Sequence, residues 1–166
     1  MRRWPAALVA IVLVSALAAC AGDDDTAVAL DGSPRYPDDE GVATALSRER
    51  ITLDGDRTYD VSDDLVSFST YNRQIEPMRR RLNQYVQVGL DGRTVVWMAG
   101  IAGVVPTDPA AVYYQGILER VRGVRAEFAD GTVLRLASGV RSPVAHGRVQ
   151  ARIDPARRAV VELRVL

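Results

Sequence analysis

Three Asp-Gly pairs, Asp54-Gly55, Asp91-Gly92 and Asp130-Gly131, each stand between two short runs in which apolar and polar residues alternate. Glycine takes a positive φ at no steric cost and aspartate tolerates one, so such pairs close tight hairpins. The flanking runs are rich in Val, Ile, Leu, Tyr and Phe and recur at close intervals, the pattern of an all-β chain. Strands are expected at 42–47, 50–54, 57–61, 84–90, 93–104, 114–121, 124–129, 132–137, 147–153 and 158–165. Alternation assigns inward faces to Ile51, Leu53, Tyr59, Val61, Val86, Val88, Leu90, Val149, Ala151 and Ile153. One stretch differs: Ile75, Met78 and Leu82 at helical spacing predict a short helix over 74–83, with Pro77 in its first turn, where a helix tolerates proline.

The β-rich part reads as two copies of one pattern. With Gly41-Val42-Ala43-Thr44-Ala45-Leu46 placed over Gly116-Ile117-Leu118-Glu119-Arg120-Val121, an offset of 75, Ile51 falls on Ala126, Leu53 on Phe128, Tyr59 on Leu134 and Val61 on Leu136. Each copy is a strand, a hairpin, a connector and a second hairpin. The first connector is longer by about 12 residues and holds the predicted helix. Five strands per copy is the strand count of an OB-type barrel. The second copy, G-I-L-E-R-V-R-G-V-R-A-E-F-A-D-G-T-V-L-R-L followed by G-R-V-Q-A-R-I-D, resembles the small OB-type domains of unknown function found in bacterial envelope proteins. The expected fold is therefore all-β, with tandem five-stranded OB-like barrels at 41–105 and 114–166, a joint at 106–113, and a short helix in the first connector. A single β-sandwich is the alternative.

The amino terminus carries an address. Arg2 and Arg3 precede an apolar stretch from Ala6 to Leu17, the layout of a secretory signal over residues 1–19. That stretch is shorter than the roughly 20 apolar residues a membrane-spanning helix needs. Leu17, Ala18 and Ala19 lead directly into Cys20, the one cysteine of the chain, and Leu17-Ala18-Ala19-Cys20 resembles the lipobox of bacterial lipoproteins. The resemblance implies cleavage before Cys20 and a thioether from its sulfur to a diacylglyceryl group, a reaction that needs a thiolate nucleophile. Each buried CH2 contributes roughly 0.8 kcal/mol, so two or three acyl chains hold a protein durably on a membrane. Residues 21–40, rich in Asp, Gly and Pro and without a period, read as a flexible tether following the lipidated Cys20.

Composition narrows the function classes. The 21 basic residues are all arginine and are matched by 21 acidic ones; without Arg2 and Arg3 the balance is slightly negative, so no basic field invites nucleic acid. With one cysteine spent on the anchor and one histidine, neither a disulfide nor a cysteine or histidine zinc site is expected, and no cofactor is called for. Asp54-Gly55-Asp56 with Asp60 has closely spaced carboxylates, but the sixth and twelfth positions of a calcium loop would be Tyr59 and Leu65 rather than Gly and Glu. His146 lies in a connector and no G-x-S-x-G elbow occurs, so no catalytic residue is nominated. Arg79-Arg80-Arg81 is the densest basic cluster and the nominated partner-contacting site.

These observations together lead us to expect a membrane-anchored, extracytoplasmic lipoprotein: a non-enzymatic envelope module binding a protein or polymer partner. A hydrolase built on scattered carboxylates and a structural spacer are the competing readings.

Overall fold

The computed structural model describes residues 33–70, 74–101, 112–143 and 146–166, and the chain there is all-β. The first unit contains β1 (Asp39–Leu46), β2 (Arg50–Leu53), β3 (Arg57–Ser69), β4 (Tyr85–Asp91) and β5 (Thr94–Gly100). They close into a barrel in the order β1-β2-β3-β5-β4, antiparallel except where β3 runs parallel to β5. The second unit holds β6 (Val112–Arg122), β7 (Arg125–Phe128), β8 (Val133–Arg135), β9 (Gly147–Asp154) and β10 (Ala159–Val165) as a sheet in the order β10-β9-β6-β7-β8. That order is the first barrel opened between its third and fifth strands. A parallel bridge from Leu136 to Val160 joins the opened edges.

The duplication holds pair by pair. In the first unit Ala43 opposes Leu53, Ala45 opposes Thr52 and Leu46 opposes Ile51; in the second, Leu118 opposes Phe128, Arg120 opposes Glu127 and Val121 opposes Ala126. Every one of these is displaced by the 75 residues that the sequence alignment gave. The register irregularity recurs at the equivalent place, between Ala43 and Ala45 and between Leu118 and Arg120. Val61 paired with Val95 likewise becomes Leu136 with Val160. Because one-residue slips turn every side chain to the opposite face, agreement of register and bulge is a far stricter test than agreement of apolar pattern.

The inward faces pack as alternation requires. Ala43, Ile51, Leu53, Val86, Val88, Val95 and Met98 form the first core, with Tyr59, Val61 and Leu90 packed against it from half-buried positions. Leu118, Ala126, Phe128, Leu134, Val149, Ala151 and Ile153 form the second. This second core does not stop at its own unit. It continues through Phe68, Tyr85, Ala99 and Ile101, which belong to the first barrel, so the two units share an apolar seam.

Three sequence expectations need correction. The helix expected over 74–83 is a single 3-10 turn, η1 (Met78–Arg81), because Ile75 is drawn into a bridge with Phe68 and Pro77 has no N–H to extend a helix backwards. Met78 still packs against the first core. The third strand runs to Ser69 rather than Val61, with Asp63 and Asp64 exposed on a bulge between Val61 and Val66. The tether drawn to residue 40 ends earlier. Asp39 and Glu40 already belong to β1, and before them Arg35 forms a parallel bridge with Thr132 and its N–H donates to the Gly131 carbonyl at 2.8 Å.

Glycine stands at the equivalent position of the first strand in both copies, where neighbouring side chains leave little room. At Gly41 an added Cβ would overlap the Asp54 carboxylate and the Arg57 guanidinium; at the equivalent Gly116 it would overlap Tyr114 and Phe128. The same structural need is met in both copies by the same residue.

Candidate functional site

The nominated arginine cluster is divided by the fold. Arg79 and Arg80 are exposed on η1, whereas Arg81 is 2 % exposed. Its guanidinium lies 3.0 Å from Glu76 Oε2 and donates to Ser67 Oγ at 3.3 Å and to Gln84 Oε1 at 3.1 Å. Burial lowers its affinity for the proton and the Glu76 charge opposes that change. Arg81 thus fastens the connector to the barrel and presents nothing to a partner. His146 is an exposed turn residue at φ +68°, and Asp54-Gly55-Asp56 is a hairpin turn. Leu17, Ala18, Ala19 and Cys20 lie outside the described residues.

What the fold does assemble is a pair of clefts across β7 and β8. The inner one, about 460 Å³, runs between the second unit and the segment 36–40: Asp38, Asp39 and Glu40 form one wall, while Val124, Arg125, Val133, Arg135 and Arg158 form the other. The outer one, about 450 Å³, shares Val124 and Arg135 with it and continues along Leu136, Ala137, Ser138, Arg157 and Ala159. Arg135 is the ridge between the two. Opposite charges face each other in the inner cleft; the outer lining contains arginine, serine and apolar groups and no carboxylate.

The segment at 33–38 makes the inner wall by strapping the first unit onto the second. Tyr36 OH donates to Glu127 Oε1 at 2.9 Å, and the Arg125 guanidinium rests 5.1 Å from the Tyr36 ring centroid. Glu127, 1 % exposed, is also held by Arg120 and lies 3.8 Å from Arg122. Burial works against its charge, but the hydrogen bonds from Arg120 and Tyr36 and the charges of Arg120 and Arg122 outweigh it and keep the carboxyl below the usual carboxylate range.

Beneath the inner cleft lies a buried polar floor. Gln87 Nε2 donates to Glu40 Oε2 at 2.8 Å and to the Val133 carbonyl at 2.7 Å, bridging the units. Burial raises the Glu40 pKa, against the Gln87 hydrogen bond that favours its charge. The Tyr85 hydroxyl is fully buried beside the Glu40 carboxyl; burial and then the Glu40 charge push it far above the ordinary phenol range. Next to this floor Arg57 binds both Asp39 and Asp54, Tyr59 OH donates to Asp39 Oδ2 at 2.7 Å, and Arg158 stands 3.5 Å from Asp39 and 3.6 Å from Asp54. Arg158 reaches them from a turn position at φ +49°. Of the inner-wall carboxylates, Asp39 is thus paired with arginine from within the protein, Glu40 accepts from Gln87, and Asp38 accepts the Leu90 N–H at 2.8 Å.

The duplication exposes what is unusual about the other wall. Arg125 and Arg135 are direct cross-strand partners, and their equivalents in the first unit are Arg50 and Asp60, an exposed ion pair at 3.6 Å. Opposite charges at such positions help a sheet and like charges directly across it are destabilising. The second unit carries the unfavourable arrangement where the first carries the favourable one, and among the described residues neither Arg125 nor Arg135 has an ion pair. Neither residue was singled out from the sequence. The signal was present nonetheless: the 75-residue offset sets Arg125 over Arg50 and Arg135 over Asp60, and reading charges along that alignment, as well as apolar positions, marks the change.

Among the described residues no group of histidine, cysteine, aspartate and glutamate side chains is placed to hold a metal ion, and no helix is long and apolar enough to cross a membrane. Comparison with protein-family models, curated proteins and solved structures gives no match.

Proposed function

We propose that this chain is a lipid-anchored, extracytoplasmic binding module whose tandem OB-type units present the β7–β8 clefts to a partner in the cell envelope. The observation that carries the reading is the unpaired Arg125–Arg135 couple at the ridge of two clefts, where the companion unit keeps an ion pair. Unfavourable local charge retained beside a concave surface is the mark of a site serving something other than the fold. The anchor reading rests on Leu17-Ala18-Ala19-Cys20 and the charged and apolar segments before it.

A binding role is favoured over hydrolysis because the carboxylates nearest the cleft are already engaged. Asp39 and Asp54 share Arg57 and Arg158, Glu40 is held by Gln87, and Asp38 accepts the Leu90 N–H. A general base needs a carboxylate able to take a proton from a bound water or substrate, and these are committed to structural partners.

Two experiments test the two halves. Fractionation of cells should find the chain with membranes, shortened by its signal, and Cys20→Ser should release it or leave it uncleaved; an unchanged fraction and cleavage site would refute the anchor. Crosslinking of intact cells followed by recovery under denaturing conditions should yield a discrete adduct, and its absence across growth conditions would refute the binding role.

A further inference from the structure

We propose that a phosphoryl group binds on the Arg125–Arg135 couple at the edge of the outer cleft, with Arg125 on the inner side of that edge and Arg157 and Ser138 along the outer cleft's length. This inference rests on reading the clefts as a binding surface and adds the chemistry of what is bound.

The charge pattern selects the ligand class. Residues directly opposite on antiparallel strands hold their Cβ atoms about 4.5–5.5 Å apart. Arg125 and Arg135 occupy such positions, and both are exposed. Arg125 is steadied on the Tyr36 ring, which leaves its N–H donors free. Arg158 does not contribute, being committed to Asp39 and Asp54. Arg157 is 3.4 Å from Asp154, an exposed ion pair that leaves most of its fork available. In the inner cleft Asp38, Asp39 and Glu40 stand opposite the arginines and compete with an anion for them; the outer cleft has no acidic residue in its lining.

A carboxylate offers two oxygens, enough for one guanidinium fork. A phosphoryl group offers three acceptor oxygens and up to two charges, so it accepts from two forks at once and relieves the repulsion between them. Ser138, exposed in the loop after β8, adds a hydroxyl donor. Val124, Leu136, Ala137 and Ala159 give the cleft an apolar side suited to the carbon skeleton that carries the phosphate.

The test uses the full chain purified from membranes in neutral detergent, with melting followed as inorganic pyrophosphate is added. Pyrophosphate should raise the melting temperature with half-saturation at submillimolar concentration, while acetate at equal ionic strength should not. Arg135→Asp rebuilds the Arg50–Asp60 arrangement, so it should fold at least as stably as the parent and weaken half-saturation at least tenfold. Arg125→Gln should weaken it similarly. Anionic phosphatidylglycerol mixed into the micelles supplies a second arm: a shift there that Arg135→Asp removes identifies a lipid headgroup as the source, and a shift with pyrophosphate alone identifies a water-soluble phosphate. No shift in either arm, or equal shifts in parent and Arg135→Asp, would overturn the proposal. A crosslinked partner at the clefts together with that result would leave the binding role standing without the phosphate.

Discussion

Gln87 of the first barrel donates its side-chain amide to the backbone carbonyl of Val133 in the second, at 2.7 Å, from a position 1 % exposed. Its other donated bond goes to Glu40, so one buried side chain ties β4 both to β1 and to the neighbouring unit. The apolar seam through Phe68, Tyr85, Ala99 and Ile101 supplies area between the units, and this hydrogen bond adds a directional tie.

Gln87→Leu should therefore cost more than its lost contacts. It leaves the Val133 carbonyl and the Glu40 carboxyl without their donor, and each unsatisfied buried group costs about 1–3 kcal/mol. Denaturant unfolding should show a loss of about 2–4 kcal/mol relative to the parent. A loss below about 0.5 kcal/mol would mean that the bond does not hold the units together.

The half-buried Glu40 and the buried Glu127 should give opposite pH dependences. Burial raises the folded-state pKa of Glu40 above its unfolded value, so its contribution is fully present below the unfolded pKa and is lost as pH rises through the folded one. Glu127 is held below its unfolded value, so its contribution is present above the unfolded pKa and is lost as pH falls through the folded one. Melting temperatures of Glu40→Gln should match or exceed the parent at pH 8 and lose that advantage toward pH 4. Glu127→Gln should be less stable than the parent at pH 8, with the gap closing on acidification. Parallel profiles for the two variants would contradict these charge environments.

Gly89 lies across from Trp97, and an added Cβ would run into the indole. The second unit has Arg152 and Glu162 at the equivalent pair, an ion pair at 3.2 Å in place of an aromatic over glycine. Gly89→Ala should displace the ring, lowering the melting temperature by several degrees and shifting Trp97 fluorescence to the red. Gly89→Ala combined with Trp97→Val should recover much of the loss. If the double variant is as unstable as the sum of the two single ones, the overlap is not the cause.

Much of the fold was legible because its signals are local. Asp54-Gly55 with both residues at positive φ, and the alternation through Ile51-Leu53 and Val149-Ala151-Ile153, each act within one hairpin. The duplication was legible for the same reason, since an offset that aligns turns also aligns registers. The helix at 74–83 misled because Ile75, Met78 and Leu82 do have helical spacing, yet the bridge from Ile75 to Phe68 is a tertiary contact that no window of sequence contains. Arg79-Arg80-Arg81 misled through composition: adjacent charges look like one patch, but Arg81 turns inward to Glu76. The strap at 33–38 was read as tether because its Pro and Asp content has no period, while its bonds reach about 90 residues ahead, from Tyr36 to Glu127 and Arg35 to Gly131. The clefts depend on that strap and on β7–β8 together, so no single stretch announces them.

We propose that a partner binds at the β7–β8 clefts of the second unit and not at the matching surface of the first. A photoreactive amino acid placed at position 124, which lines both clefts and leaves Arg125 and Arg135 in place, and in a separate chain at its equivalent, position 49, tests this directly in intact cells. The expected result is an adduct from position 124 that Arg125→Gln diminishes, and none from position 49. Equal adducts from both positions, or one from position 49 alone, would contradict the proposal.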